Sequence, residues 1–145
     1  MDKKIFSSEM KLISSCARLQ IDPTTQLQIE SLLGQPIGWQ TIMEQSLYHG
    51  VLPLLYYNIV KLNKLNLPKN ILGILKNSYD ITLSRNIALW KEFCYLRDLF
   101  HRSGTKIIPL KGIILGKTLY RDIGLRPMVD IDILVQEKDL LCAEK

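Results

Sequence analysis

The sequence predicts an α+β fold in which a helical region precedes a short β–α–β segment. Apolar residues recur every three or four positions from Ser7 to about Ser103, which is the spacing of one helix face. After Gly104 the pattern changes to short runs of β-branched and apolar residues, separated by glycine and proline. We therefore expect a helical region over residues 1–103 and an incomplete α/β core, with too few strands for a sheet of ordinary size, over residues 104–145.

Five helices are predicted in the first region, and several begin or end at residues typical of helix ends. Ser7 or Ser8 can cap the first helix, and Asp22 with Pro23 favours the start of the second. The others are predicted, in chain order, over Trp39 to His49, Leu54 to about Leu62, and Pro68 to about Arg102. The last pattern is so long that two helices, broken between residues 78 and 84, are an alternative.

The second region is predicted to contain a strand, a short helix and a second strand. A strand over residues 105–110, with Pro109 typical of a sheet edge, leads to a helical pattern over residues 113–120. After a loop, residues 128–135 are predicted to form the second strand, and its apolar end is typical of a buried strand. Asp139 has the position of a cap for a last helix.

Composition and charge exclude several classes of protein. A chain of 145 residues that is 47% hydrophobic and 23% charged is not disordered throughout. The net charge of +5 favours anionic partners, but the basic residues are scattered and form no nucleic-acid-binding arm. Cys16, Cys94 and Cys142 have no zinc-site or disulfide-framework spacing, which favours a reducing compartment. With no signal-peptide or membrane-span pattern, a cytoplasmic protein without a membrane partner is expected.

The strongest indication of chemistry is the pair Asp130 and Asp132. Residues two apart on a strand point to the same face, so the two carboxylates are expected side by side. Mg²⁺ or Mn²⁺ would relieve their repulsion, because hard divalent cations bind carboxylate oxygens and retain water and phosphate ligands. The D-x-D spacing alone is also compatible with two acidic residues at a solvent-facing strand end.

Three neighbouring residues extend this pair to a predicted phosphate site. Gly112 allows the backbone to approach a ligand closely, and a helix start at this point presents free N–H groups to phosphate. Lys111 adds a cation, and Arg126 lies close before Asp130 in the sequence. The alternative role for Arg126 is structural, as the cation that neutralises Asp130. Together, these residues predict a site for a metal-bound nucleoside triphosphate.

These motifs resemble a known family. LKG at residues 110–112 and GLRPMVDID at residues 124–132 closely resemble the signature of an uncharacterised bacterial nucleotidyltransferase family within the polymerase-beta-like nucleotidyltransferase superfamily. HGVLPLLY at residues 49–56 and the helical pattern over residues 86–99 are similar to further elements of that family. The resemblance covers roughly residues 39–145.

The resemblance implies a nucleotidyltransferase-like sheet and the transfer of a nucleoside monophosphate from a nucleoside triphosphate, with Mg²⁺ or Mn²⁺, to an acceptor. Asp130 and Asp132 would be the catalytic, metal-binding carboxylates. Lys111 and Gly112 would contact the nucleotide, and we infer the same for Arg126. The acceptor could be a small molecule, RNA or protein. The wider superfamily often has Gly-Ser or Gly-Gly at the turn, whereas this sequence has Lys-Gly and lacks the serine.

One expected residue has no match. The superfamily's third carboxylate comes from a later strand, and Asp139 and Glu144 are too close in sequence to Asp132 to lie on one. We therefore expect the front part of a longer enzyme, or a truncated product that binds nucleotide without catalysis.

Two other functions share parts of the pattern. Glycosyltransferases also use D-x-D with a metal, but after a larger α/β region, and only one predicted strand precedes Asp130 here. The other alternative is a non-catalytic helical module that binds a protein partner and retains a remnant nucleotide site. His49, Trp39 and Trp90 fit helix ends and core positions better than chemistry.

Overall fold

A computed structural model describes residues 6–62 and 67–143, and its fold is α+β, as the sequence predicts. Two compact units divide the chain between Asp80 and Ile81. Within the described ranges, no helix is long and apolar enough to cross a membrane.

All five helices predicted in the first region are present. Their bounds are α1 (Ser8–Cys16), α2 (Pro23–Leu33), α3 (Trp39–Tyr48), α4 (Leu52–Lys61) and α5 (Lys69–Arg102). Helix α5 is continuous, so the alternative of two helices broken between residues 78 and 84 is wrong. Part of the connector predicted before Pro68, residues 63–66, lies outside the described residues.

The predicted caps explain where the first two helices begin. The Ser7 Oγ accepts a hydrogen bond from the Met10 N–H at 3.3 Å. Asp22 Oδ1 accepts one from the Thr25 N–H at 2.9 Å, while the Thr25 hydroxyl donates to Oδ2 at 2.7 Å. These side chains satisfy N–H groups that have no partner within the helix, which fixes both starts.

The first unit is built on an apolar core shared by its helices. Buried residues from every helix of this unit form one cluster, including Leu12, Ile29, Ile42, Leu55 and Leu75. Asn58 is buried in the same unit, and its Nδ2 donates to the carbonyl oxygens of Cys16 at 2.8 Å and Arg18 at 2.7 Å. This amide satisfies two carbonyl groups where α1 ends.

The second unit contains a two-stranded antiparallel sheet. Besides the second half of α5, its elements are β1 (Ile107–Pro109), α6 (Lys111–Thr118), a 3₁₀ turn (Ile123–Leu125), β2 (Ile133–Val135), a 3₁₀ turn (Glu137–Asp139) and α7 (Leu140–Ala143). Ile107 pairs with Val135, and Pro109 pairs with Ile133. Phe93 of α5, Ile113 of α6 and Met128 form its buried core, against which Ile107 and Ile133 pack.

The second predicted strand is wrong in two respects. The ladder covers only residues 133–135 of the predicted 128–135, because β1 ends at Pro109 and the chain enters α6, which leaves no partner backbone for residues 128–131. The strand is also not fully buried, since Leu134 is 52% exposed. Ile133 points towards the core, so Leu134, one residue later, faces the other side of the sheet.

Candidate functional site

The antiparallel pairing places the end of β1 beside the start of β2. One further backbone bond extends the ladder, in which the Leu110 N–H donates to the carbonyl oxygen of Asp132 at 2.9 Å. Helix α6 begins at the next residue, Lys111. The turn from strand to helix therefore lies next to the second aspartate of the D-x-D motif.

Lys111 and Asp132 form an ion pair at this turn. The Lys111 Nζ lies 3.3 Å from Asp132 Oδ2, and the lysine side chain is 70% exposed whereas that of Asp132 is 31% exposed. Lys111 adopts φ 46°, in the left-handed region that favours glycine. Such a conformation costs a non-glycine residue on the order of 1–3 kcal/mol, so the turn is strained.

Two side chains approach Gly112 closely at this turn. A Cβ at Gly112 would lie 2.7 Å from Arg126 Nη1 and 3.0 Å from Met128 Cγ, closer than van der Waals contact. The Arg126 guanidinium therefore rests against the first turn of α6. The predicted residues Lys111, Gly112, Arg126 and Asp132 thus lie at one place through these contacts.

The segment that carries Arg126 is held by a residue that the sequence analysis assigned no role. Asn86 of α5 is fully buried, and its Nδ2 donates to the carbonyl oxygens of Ile123 and, at 2.8 Å, of Arg126. Asp122 accepts a hydrogen bond from the Gly124 N–H at 2.9 Å and so caps the 3₁₀ turn. The available signal for Asn86 was a polar residue within the apolar stripe of α5, between Leu83 and Trp90.

The two aspartates differ in their surroundings. Both aspartates lie before β2, so their predicted placement on a strand is wrong. Asp130 is exposed, whereas Asp132 contacts both Leu110 and Lys111. No ion pair joins Arg126 to Asp130, so the structural role considered for this arginine is not observed. Among the residues that the structure describes, no group of three acidic, histidine or cysteine side chains is arranged to hold a metal.

The Asp132 carboxylate lies beside a cationic turn and can serve a metal-bound phosphate, with Asp130 two residues before it in the sequence. A hard divalent cation takes only part of its coordination from protein carboxylates and fills the rest with water and phosphate oxygens. Helix α6 has no side-chain cap at Leu110, so no capping side chain competes with an anion for its first N–H groups. The donor set therefore fits Mg²⁺ or Mn²⁺ bound together with a phosphate group.

The second unit also has a cavity of about 470 Å³ at the other end of its two strands. It is lined mainly by Ile107, Ile108, Leu134 and Val135 of the sheet, together with Arg97 and His101 of α5. None of the predicted site residues lines it. The candidate site is thus the strand-to-helix turn, and it is separate from this cavity.

The comparisons with known proteins agree with the motifs at the turn. Searches of curated proteins and of solved structures found no match. The model of a family described as uncharacterised nucleotidyltransferase matches residues 35–145, which includes every residue of the candidate site. The chain belongs to this family of uncharacterised nucleotidyltransferases.

Proposed function

We propose that this chain binds a nucleoside triphosphate with Mg²⁺ or Mn²⁺ at the turn between β1 and α6, for transfer of the nucleoside monophosphate to an acceptor. One observation carries the proposal, namely that Lys111, Gly112, Arg126 and Asp132 meet at one point although they come from three separate stretches of the chain. Family membership supports nucleotidyl transfer as the chemistry of such a site.

The charges at the turn suit a triphosphate with a metal. Lys111 precedes Gly112 in the chain and the Arg126 guanidinium lies against it, where the first N–H groups of α6 have no side-chain cap. Arg126 has no carboxylate partner among the described residues, so its guanidinium can bind phosphate oxygens bidentately. Asp130 and Asp132 would hold the divalent cation on the other side of the phosphates.

The ion pair between Lys111 and Asp132 suggests how the site changes on binding. The Lys111 Nζ lies 3.3 Å from the Asp132 carboxylate, which it partly neutralises. Because Lys111 is exposed and Asp132 only partly buried, exchanging the pair for other partners costs little. A divalent cation on Asp132 would leave Lys111 to pair with a phosphate oxygen.

Nucleotidyl transfer then follows the general pattern of in-line displacement. The acceptor oxygen forms a bond to the α-phosphorus, and the bond to the pyrophosphate oxygen breaks. A bound divalent cation would neutralise charge on the phosphates and polarise the phosphorus. Lys111, Arg126 and the N–H groups of α6 would orient the triphosphate and stabilise the charge that develops on its oxygens.

Calorimetric titration of the full chain with ATP, GTP, CTP and UTP, each with and without Mg²⁺, tests the binding step. We expect Mg²⁺-dependent binding of at least one nucleotide, and its loss in the double variant Asp130→Ala, Asp132→Ala. The matched control is Asp80→Ala, Asp98→Ala, which removes two exposed carboxylates of α5 that pair with Lys76 and Arg97. No heat from a folded sample, or equal affinity in the Asp130, Asp132 variant, would overturn the proposal.

Release of pyrophosphate from the bound nucleotide, with RNA, protein or small-molecule hydroxyl compounds as acceptors, tests the transfer step separately. Mg²⁺-dependent release that disappears in the Asp130, Asp132 double variant is the expected result. Binding without release under all of these conditions contradicts transfer and matches the alternative of a remnant nucleotide site.

A further inference from the structure

Two hydrogen bonds from Asn86 of helix α5 hold the segment that carries Arg126. The side chain of Asn86 is fully buried, and Nδ2 donates both of its hydrogens, one to the carbonyl oxygen of Ile123 and one, at 2.8 Å, to that of Arg126. These carbonyl groups belong to the first residue of the 3₁₀ turn and to the residue directly after it. One amide group therefore fixes both ends of the turn.

The second of these hydrogen bonds is made to the backbone carbonyl of Arg126 itself. Asn86 therefore holds the backbone of the residue that carries the guanidinium. The arginine side chain has no carboxylate partner among the described residues, so no ion pair sets its direction. Its guanidinium nevertheless lies against Gly112, close enough that a Cβ there would be 2.7 Å from Nη1. The position of the guanidinium thus depends on the backbone that Asn86 holds.

The Oδ1 atom of Asn86 indicates why asparagine occupies this position, namely for the two hydrogen bonds that its Nδ2 donates. The Oδ1 oxygen is buried and has no hydrogen-bond partner among the residues that the structure describes. A buried acceptor without a donor is unfavourable, so an apolar residue would suit this position of α5 better if packing alone mattered. What Asn86 provides, and an apolar residue cannot, is the pair of donors to the turn.

We propose that Asn86 is a positioning residue of the nucleotide site, which holds Arg126 where its guanidinium can contact the triphosphate. This inference rests on the proposed function of the same site. Asn86 itself would not touch the nucleotide, since it is buried and its N–H groups are both used by the turn.

The chain contains a matched control for this proposal. Asn58 is also buried on a helix, and its Nδ2 also donates to two carbonyl oxygens, those of Cys16 and Arg18. It lies in the first unit, whereas Asn86 lies in the second. Asn58→Ala therefore removes two bonds of the same kind as Asn86→Ala, amide N–H to backbone carbonyl, without touching the segment of Arg126.

A double-mutant cycle measures whether Asn86 acts through Arg126. Calorimetry with Mg²⁺-ATP, or with another Mg²⁺-nucleotide if the wild type prefers it, compares Asn86→Ala, Arg126→Ala and the double variant. We expect about 10-fold weaker binding in Asn86→Ala and about 10- to 100-fold in Arg126→Ala, with the double variant within about twofold of Arg126→Ala. Asn58→Ala should bind like the wild type. The proposal would be overturned if the loss of affinity in the double variant equalled the product of the losses in the two single variants. An equal loss of affinity in Asn58→Ala would also overturn it.

Hydrogen exchange provides a readout that needs no nucleotide. In folded Asn86→Ala, or in the milder Asn86→Ser if the alanine variant does not fold, peptides covering residues 121–128 should exchange faster than in the wild type. The same peptides should be unchanged in Asn58→Ala. Unchanged exchange in the Asn86 variant would overturn the positioning role. If the wild type binds no nucleotide but exchange at residues 121–128 does increase in the Asn86 variant, the proposed function fails. The structural role of Asn86 in holding the turn is then still supported.

Discussion

Lys111 shows at the scale of one residue how the site combines strain with charge. Its φ of 46° is unfavourable for a side chain with a Cβ, yet this conformation turns the chain from β1 into α6. It also sets Nζ 3.3 Å from Asp132 Oδ2. A glycine would adopt the same φ without strain but would supply no cation, so stability and charge oppose each other at this position.

We predict that Lys111→Gly makes the protein more stable and the site weaker. Relief of the left-handed conformation should raise the free energy of unfolding by about 1 kcal/mol, since the exposed ion pair contributes little. Loss of the cation should weaken Mg²⁺-nucleotide binding by about tenfold. Urea unfolding and calorimetry measure the two effects. Lys111→Ala, which loses the cation but keeps the Cβ, should bind as weakly without any gain in stability; a gain there would contradict the account.

Residue types at the site could be read from the sequence, but residue contacts could not. The D-x-D pair and the Lys-Gly turn are short local patterns, and their chemistry assigns the first to a divalent cation and the second to phosphate. Asn86 is distant in sequence from Ile123 and Arg126, and only the folded chain brings its amide to their carbonyl groups. A polar residue in an apolar helix stripe signals a buried partner without saying which one.

At the scale of elements, helix α6 carries two glycines with different surroundings. A Cβ at Gly112 would come within 2.7 Å of Arg126 Nη1 and 3.0 Å of Met128 Cγ. At Gly116 the nearest atoms would be 3.9 Å away or more, which is ordinary van der Waals contact. The two positions therefore separate the steric requirement of the site from the general effect of glycine in a helix.

We predict opposite outcomes for alanine at these two glycines. Gly116→Ala should raise the free energy of unfolding by up to about 1 kcal/mol, because alanine favours the helix, and should leave nucleotide binding unchanged. Gly112→Ala should displace the Arg126 guanidinium and weaken Mg²⁺-nucleotide binding by about tenfold. Chemical unfolding and calorimetric titration check both variants. Normal binding by Gly112→Ala would show that the close approach of Arg126 has no role in the site.

Helices were predicted better than strands because their signals are local. Side-chain caps such as Ser7 and Asp22 and the apolar period lie within each helix, so its bounds follow from nearby residues. The extent of β2 depends instead on β1, which ends where α6 begins. Residues 128–131 have strand-like character and no partner backbone, and this could be known only from the fold.

At the scale of the whole molecule, the point where the sequence changes from helical to mixed patterns differs from the point where the chain divides into compact units. The sequence boundary between residues 103 and 104 separates helical from mixed patterns and stays a prediction. The compact units divide between Asp80 and Ile81. The difference arises because the second half of α5 contributes Phe93 to the core that holds Ile113 and Met128, and such long-range packing leaves no mark in local periodicity.

Thiol labelling should report on the integrity of the first unit. Burial raises the pKa of Cys16 to about 12, so very little of this thiol is the reactive thiolate at pH 8. Cys94 is only half-buried. We predict that iodoacetamide at pH 8 modifies Cys94 well before Cys16, and that urea sufficient to unfold the first unit removes the difference, as read by mass spectrometry of peptides. Faster labelling of Cys16 in the native protein would contradict its place in the core.

Paramagnetic NMR tests most directly whether the turn and the aspartates form a single metal–nucleotide site. Mn²⁺ added with a non-hydrolysable ATP analogue to ¹⁵N-labelled protein broadens the amide signals nearest the ion. We predict selective broadening at Gly112, Arg126, Asp130 and Asp132, while signals at the opposite end of the two strands, such as those of Thr105 and Gln136, broaden less. Broadening centred elsewhere, or none at these residues when the analogue is bound, would contradict the account.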